Sequence, residues 1–203
     1  MTDPPDWFAN AIAAIDQANS TDPVTVEMDG FVGPKELLHS ERMTHWVTEL
    51  DPGASYAQLV AARAHHLRRW VVPRSGHPEG RAGYLAWRIA QRSRQVAELS
   101  GILEAVGCDT VTSQRALEIV AKRHLRSDPQ VQVHEDALCL VFLELQLEEL
   151  VERLGEDRVV DVLAKSIAKM SPQGIGTAAG LPMSDRGGRL LSLALRAASK
   201  PDA

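Results

Sequence analysis

Two adjacent histidines, His65 and His66, stand inside the stretch RAHHLRRWVVPRSGHPEGRAGYLAWR (residues 63–88), together with six arginines, two tryptophans and a tyrosine. Neutral imidazoles and carboxylates together make ligand sets for divalent manganese, iron, nickel or zinc. Two more features extend that chemistry along the chain: His39 lies 26 residues before His65 (39 to 65), and Asp136 lies 70 residues after His66 (66 to 136), with Glu135 beside it. The candidate metal ligands are therefore His39, His65, His66 and Asp136, and the candidate catalytic groups are His66, Glu135 and Asp136. Arg68, Arg69, Arg74, Arg81 and Arg88, with Tyr84 among them, can offer phosphate or carboxylate planar, bidentate recognition.

Charge narrows the ligand. The chain of 203 residues carries a formal charge of −5, which argues against a protein that grips nucleic acid by neutralising many phosphates. Yet residues 63–94 hold eight arginines against a single acid, Glu79, which is about a third of the 22 Lys and Arg. A cationic stretch in an acidic protein points to a compact anionic small molecule. Hydrophobic residues at 44% and charged residues at 24% are ordinary for a folded globular chain. Cys108 and Cys139 are too few for a disulfide framework. The acidic N-terminal stretch does not resemble a secretory signal, and no apolar run reaches the ~18 residues of a membrane span, so a cytoplasmic location is expected. A homodimer is compatible with these features; a membrane partner is not.

Helices must position these groups. Trp7, Phe8, Ile12 and Ile15 predict a first helix over about 5–19, and Gly33-Pro34 opens a second that carries His39. Val24 to Gly33 reads as a short strand or a loop. Ser55-x-x-Gln58 has the form of a capping box, so the third, alanine-rich helix starts near Tyr56 and runs to the histidine pair. Pro73 to Pro78 makes a loop. A long helix follows from Gly80 to about Gly107, with Arg81, Tyr84 and Arg88 on one face. Further helices are expected over 113–125, over 130–154 as the most hydrophobic and central one, over 156–170, and over 184–199 after a glycine-rich loop, SPQGIGTAAG. The expectation is an all-α, single globular domain of seven or eight helices spanning 1–203, with its core over about 5–197 and frayed C-terminal residues.

The same residues have purely structural readings. His65-His66 can cap a helix C-terminus, and Glu135-Asp136 can complement the dipole at a helix start. His45, His77 and His124 read as solvated or capping residues. Trp46, Trp70 and Trp87 read as core. The arginines can pair with the acids Glu144, Glu148, Glu149 and Glu152 instead of a ligand.

The order His39, then His65-His66, then Asp136 resembles the HD superfamily of metal-dependent phosphohydrolases, whose ligands follow the order His, His-Asp, Asp on helices. HSERM, from His39, and ARAHHL, ending near the dyad, carry the likeness. The chain departs from it at His66, where the family has aspartate, so one negative charge is missing. The resemblance implies an HD-domain-like fold and a divalent metal. Over most of residues 7–172 the chain also resembles a family catalogued as domain of unknown function 4202, through GPKELLHSERM, AARAHHLRRWVVPRSGHPEGRAGYLAWR, DPQVQVHEDALCLVFLE and AKMS. In that family His66, Arg69, Trp70, Arg74, Arg81, Tyr84, Trp87, Arg88, Glu135 and Asp136 belong to the shared pattern, whereas tyrosine and glutamine are common at the positions of His39 and His65. Members are often labelled glutamyl-tRNA synthetase, and Lys169-Met170-Ser171 resembles part of a synthetase loop. The synthetase motif that contacts ATP is absent.

The expected function is HD-like, metal-dependent hydrolysis of a small phosphorylated or anionic metabolite in an arginine-rich pocket. Two alternatives stand beside it: a non-catalytic anion-binding module, and an HD-like diiron oxygenase.

Overall fold

The computed structural model describes residues 4–28 and 30–198. Two compact units are distinguished, Met1–His124 and Leu125–Ala203. The all-α expectation is borne out: both units are built from helices, joined in the first by one small hairpin. No helix among the described residues is long and apolar enough to cross a membrane.

The first unit contains α1 (Asp6–Asn19), a hairpin of β1 (Thr25–Met28) and β2 (Phe31–Pro34), then α2 (Lys35–Leu50), α3 (Tyr56–Arg63), α4 (Gly80–Ala105) and α5 (Thr110–Val120). The strands pair antiparallel with Thr25 opposite Pro34 and Met28 opposite Phe31, so the ambiguous segment is a strand pair rather than a loop. Helix α3 is the centre of this unit and packs on α1, α2 and α5. Its residues Val60, Ala61 and Ala62 are wholly buried, and alanines at these positions let neighbouring helices come close. Its start is the capping box read from the sequence: Gln58 N donates to Ser55 Oγ at 3.4 Å, and Ser55 N donates to Gln58 Oε1 at 3.0 Å. It ends at Arg63, three residues short of His66.

The second unit contains α6 (Pro129–Leu145), α7 (Leu147–Leu154), α8 (Glu156–Ile167), α9 (Pro172–Ala179) and α10 (Asp185–Ala198). Helix α6 packs on α7 and α9, and α8 packs on α7 and α10. With ten α-helices among the described residues, the count exceeds the seven or eight expected, for two reasons. The expected helix over 130–154 breaks at Gln146, whose N–H closes α6 on Phe142 O (3.0 Å) and whose carbonyl opens α7 toward Leu150 N (3.0 Å). The glycine-rich segment is itself helical: Ser171 caps α9 by accepting from Gly174 N at 3.1 Å, and Pro172 takes the first helical position, where its missing N–H costs nothing. Ser199 and the C-terminal residues expected to fray lie outside the described residues.

Candidate metal centre and its arginine face

The centre begins at Asp22. Its carboxylate accepts from Val24 N and from Glu36 N, both at 2.9 Å, and so ties the hairpin to the first turn of α2, whose preceding residue, Pro34, offers no side-chain cap. That fixes Glu36. His39 follows three residues later, on the same face of the helix.

His66 arrives from a different direction. After α3 the chain passes through two left-handed residues, His66 (φ 66°) and Arg68 (φ 46°), on either side of the fully buried Leu67. Such a conformation costs an L-residue roughly 1–2 kcal/mol. Neighbouring elements hold it: Arg68 N donates to Asn19 Oδ1 (3.0 Å), Leu67 O accepts from Arg94 (2.6 Å), and Arg69 O accepts from Gln91 Nε2 (2.6 Å).

Together these segments bring Glu36, His39 and His66 into one set, with ligand atoms all within 4.8 Å of one another. The rings of His39 and His66 stack with centroids 4.1 Å apart, and Glu36 Oε2 lies 3.4 Å from His66 Nδ1. His65 stands alongside, its ring 4.6 Å from that of His66 and 5.8 Å from that of His39, but it lies outside the three-residue set. Arg69 donates from its guanidinium to His66 Nε2. Because arginine has no acceptor, that nitrogen must carry the imidazole lone pair, and in neutral His66 the proton is left on Nδ1, facing Glu36.

Burial governs the electrostatics. It raises the Glu36 carboxyl to about 7, against the opposing pull of Arg69, with Asp22 adding to the rise. Burial also pushes His66 well below the ordinary histidine range, and Arg69, His39 and His65 push it further in the same direction. A carboxyl near neutrality beside an imidazole held neutral is a donor set short of positive charge.

Arg69 extends the site toward α4. Burial lowers its pKa, partly offset by Glu36 and Tyr84, while Arg88 adds to the lowering. Its guanidinium lies over the Trp87 ring at 4.7 Å, the Arg88 guanidinium lies over Tyr84 at 5.8 Å, and the two rings are 5.9 Å apart. Trp87 is core, as expected, and donates to Val72 O at 2.8 Å. Arg81, in the first turn of α4, is exposed.

The other arginines are engaged by the fold. Arg68 faces Glu98 at 3.6 Å, and Arg74 donates to His77 O (2.9 Å) and Gly80 O (3.5 Å), fastening its own loop. Arg63 grips Asp16 through both carboxylate oxygens. Glu98, which faces Arg68 and Arg94, was not among the acids foreseen as arginine partners. Within the second unit Glu148 accepts from Ser184, and Glu152 pairs with Arg186.

Glu135 and Asp136 are buried on α6, in the second unit. Asp136 Oδ1 accepts from Ser171 N and Gln132 Nε2, both at 2.9 Å, and Oδ2 accepts from Ser171 Oγ. Gly174 packs against it so closely that an added Cβ would fall 2.6 Å from Asp136 Cγ. Lys169 Nζ lies 3.8 Å from Glu135 Oε1. The Lys169-Met170-Ser171 segment thus joins α9 to α6: Lys169 faces the acid on α6, and Ser171 both caps α9 and binds Asp136.

Glu36 is the residue that sequence reasoning missed. Its signal was Glu36-Leu37-Leu38-His39, a carboxylate and an imidazole three apart on one helix, hidden because an acid in a first turn is ordinary.

Fold and site together define an all-helical protein with a buried carboxylate and imidazole cluster flanked by arginine. The chain belongs to the family described as "Domain of unknown function (DUF4202)", which it matches over residues 9–191. No curated protein and no solved structure matches it.

Proposed function

We propose that the first unit is a metal-dependent hydrolase centre acting on a small phosphorylated metabolite, with Glu36, His39 and His66 as the metal ligands. The observation that carries this reading is the convergence of those three ligand atoms within 4.8 Å. Two imidazoles and one carboxylate suit zinc, iron, manganese or nickel, and three protein ligands leave coordination positions for water and substrate. A bound ion would polarise a phosphoryl oxygen and lower the pKa of a bound water.

The residues of this chain do the rest. Burial of Glu36 and His66 keeps bulk water from the ligands. Arg69, Arg88 and Arg81 supply the cationic face for a phosphate, with Tyr84 and Trp87 supporting the first two guanidiniums. Asp136, nominated by spacing as a last ligand, and Glu135 take the part of ordering α6 and α9. The likeness of the His39, His65-His66 order to the HD phosphohydrolases supports the same reaction class. A diiron oxygenase calls for a second ligand set, and the described residues bring one such set together.

Elemental analysis of protein purified without chelator tests the reading, followed by a screen of phosphate monoesters with manganese, iron, nickel or zinc. The expected result is about one ion per chain and phosphate release that Glu36→Gln and His66→Ala both abolish. The reading is falsified if no ion is retained and none of these metals raises the melting temperature. Anion-induced stabilisation that survives His66→Ala, without turnover, would instead favour the binding-module alternative, for which the Arg69 and Arg88 face is the specific observation.

A further inference from the structure

His66 cannot serve two cations at once. A neutral imidazole has one lone pair, and in this structure the lone pair on Nε2 faces the Arg69 guanidinium. An ion on Glu36, His39 and His66 needs that lone pair, or else the Nδ1 position now carrying the proton that faces Glu36. It would also place a second positive charge within a few Å of Arg69, in a site withdrawn from water, where like charges repel strongly.

The backbone of Arg69 cannot yield easily. Its N–H donates to His66 O at 2.9 Å, and its carbonyl accepts from Gln91. The side chain can turn instead, because its guanidinium already lies over the Trp87 ring at 4.7 Å, with Arg88 and Tyr84 next along α4.

We infer that Arg69 makes metal binding and anion binding at this centre interdependent: its guanidinium occupies His66 when the site is empty and turns to an oxyanion when an ion takes its place. This rests on the metal reading above and deepens it by coupling the binding of metal and substrate. The ligand that best relieves the conflict is a compact dianion such as a phosphate monoester, because its oxygens can contact the ion and the Arg69 and Arg88 guanidiniums together. Metal and phosphate should then each strengthen the binding of the other by the same factor.

Isothermal titration of the full chain with manganese chloride, with and without saturating inorganic phosphate, tests this. For the wild type, phosphate is expected to tighten manganese binding by about 5- to 150-fold, the usual range for coupled sites. Arg69→Met keeps an unbranched apolar side chain of similar reach without the charge. It is expected to bind manganese more tightly than the wild type when phosphate is absent, and with no gain when phosphate is added. Chelation of manganese by phosphate in solution would act on both proteins alike. Wild-type affinity unchanged by phosphate overturns the inference while leaving the metal reading intact, as does weaker manganese binding by a folded Arg69→Met. If neither protein binds manganese, nor iron, nickel or zinc titrated in its place, both readings fall. If Arg69→Met does not fold by circular dichroism, the two wild-type titrations alone decide.

Discussion

Glu36 Oε2 stands 3.4 Å from Nδ1 of His66, and both side chains are nearly withdrawn from solvent. A buried acid facing a buried neutral base has two ways to settle its charge, a proton or a cation. The distance between these residues links the pH behaviour of the protein to its metal content.

The first consequence appears in chelator. The Glu36 carboxyl is raised from 4.5 to about 7, so the folded protein holds a proton there more tightly than the unfolded chain does. Its stabilising contribution is complete below pH 4.5 and is lost as pH rises through 7. Glu36→Gln, which mimics the protonated acid, should match the wild type near pH 4.5 and exceed it above pH 7 by on the order of 3 kcal/mol. His66, held low by burial, works in the opposite sense and stabilises the fold at higher pH. Urea denaturation in EDTA across this range is the measurement, and a wild type that gains on the variant with rising pH would contradict it.

Adding metal should reverse that order. An ion present at 100 times its dissociation constant stabilises the folded state by about 2.7 kcal/mol. For a chain of this size that corresponds to roughly 5–10 °C in melting temperature. Wild type should gain this shift on addition of manganese or zinc and lose it on chelation, while Glu36→Gln and His39→Ala show neither change in differential scanning fluorimetry.

Asp136 separates folding from metal binding. Asp136→Asn keeps one carbonyl oxygen but must set an amide against the Ser171 N–H or hydroxyl, leaving a buried donor unmatched at a cost of about 1–3 kcal/mol. Chemical denaturation should show that loss, while the metal content per chain by mass spectrometry stays at the wild-type value. A drop in metal content with no loss of stability would return Asp136 to the ligand set.

Gly83 controls the arginine face from behind. A Cβ there would lie 1.9 Å from the carbonyl oxygen of Pro78, so Gly83→Ala must displace either the Arg74 loop or the start of α4. The expected cost is about 1–3 kcal/mol. The protection that phosphate gives against heat should also weaken, because Arg81 lies just before Gly83 on α4 and Tyr84 and Arg88 just after it. Thermal shifts with and without phosphate read both effects.

The sequence announced those elements whose local chemistry and wider packing agree. The Ser55 and Gln58 box and the Gly33-Pro34 entry to α2 were legible because cap residues act on their nearest neighbours. The break at Gln146 was not, since the apolar pattern continues through Leu143, Leu147 and Leu150, all buried. Helix α9 was hidden by its glycines, although Ser171-Pro172 carried the start signal. At the site, His39 and His66 were found by type. Glu36 was not, because only the turn of α2 and the Asp22 clasp set it apart from an ordinary first-turn acid. The arginines were overcounted for a related reason: a guanidinium that binds a ligand and one that binds a backbone carbonyl, as Arg74 does, look the same in one dimension.

The left-handed backbone at His66 carries a consequence for descent. Glycine adopts that conformation without strain, so a lineage selected for stability alone has a simple replacement at hand. If the His66 imidazole is kept for the chemistry proposed above, that replacement is closed to it. Lineages of this family that abandon the chemistry should betray themselves first at this position, by drifting to glycine or asparagine while the helices around it stay the same.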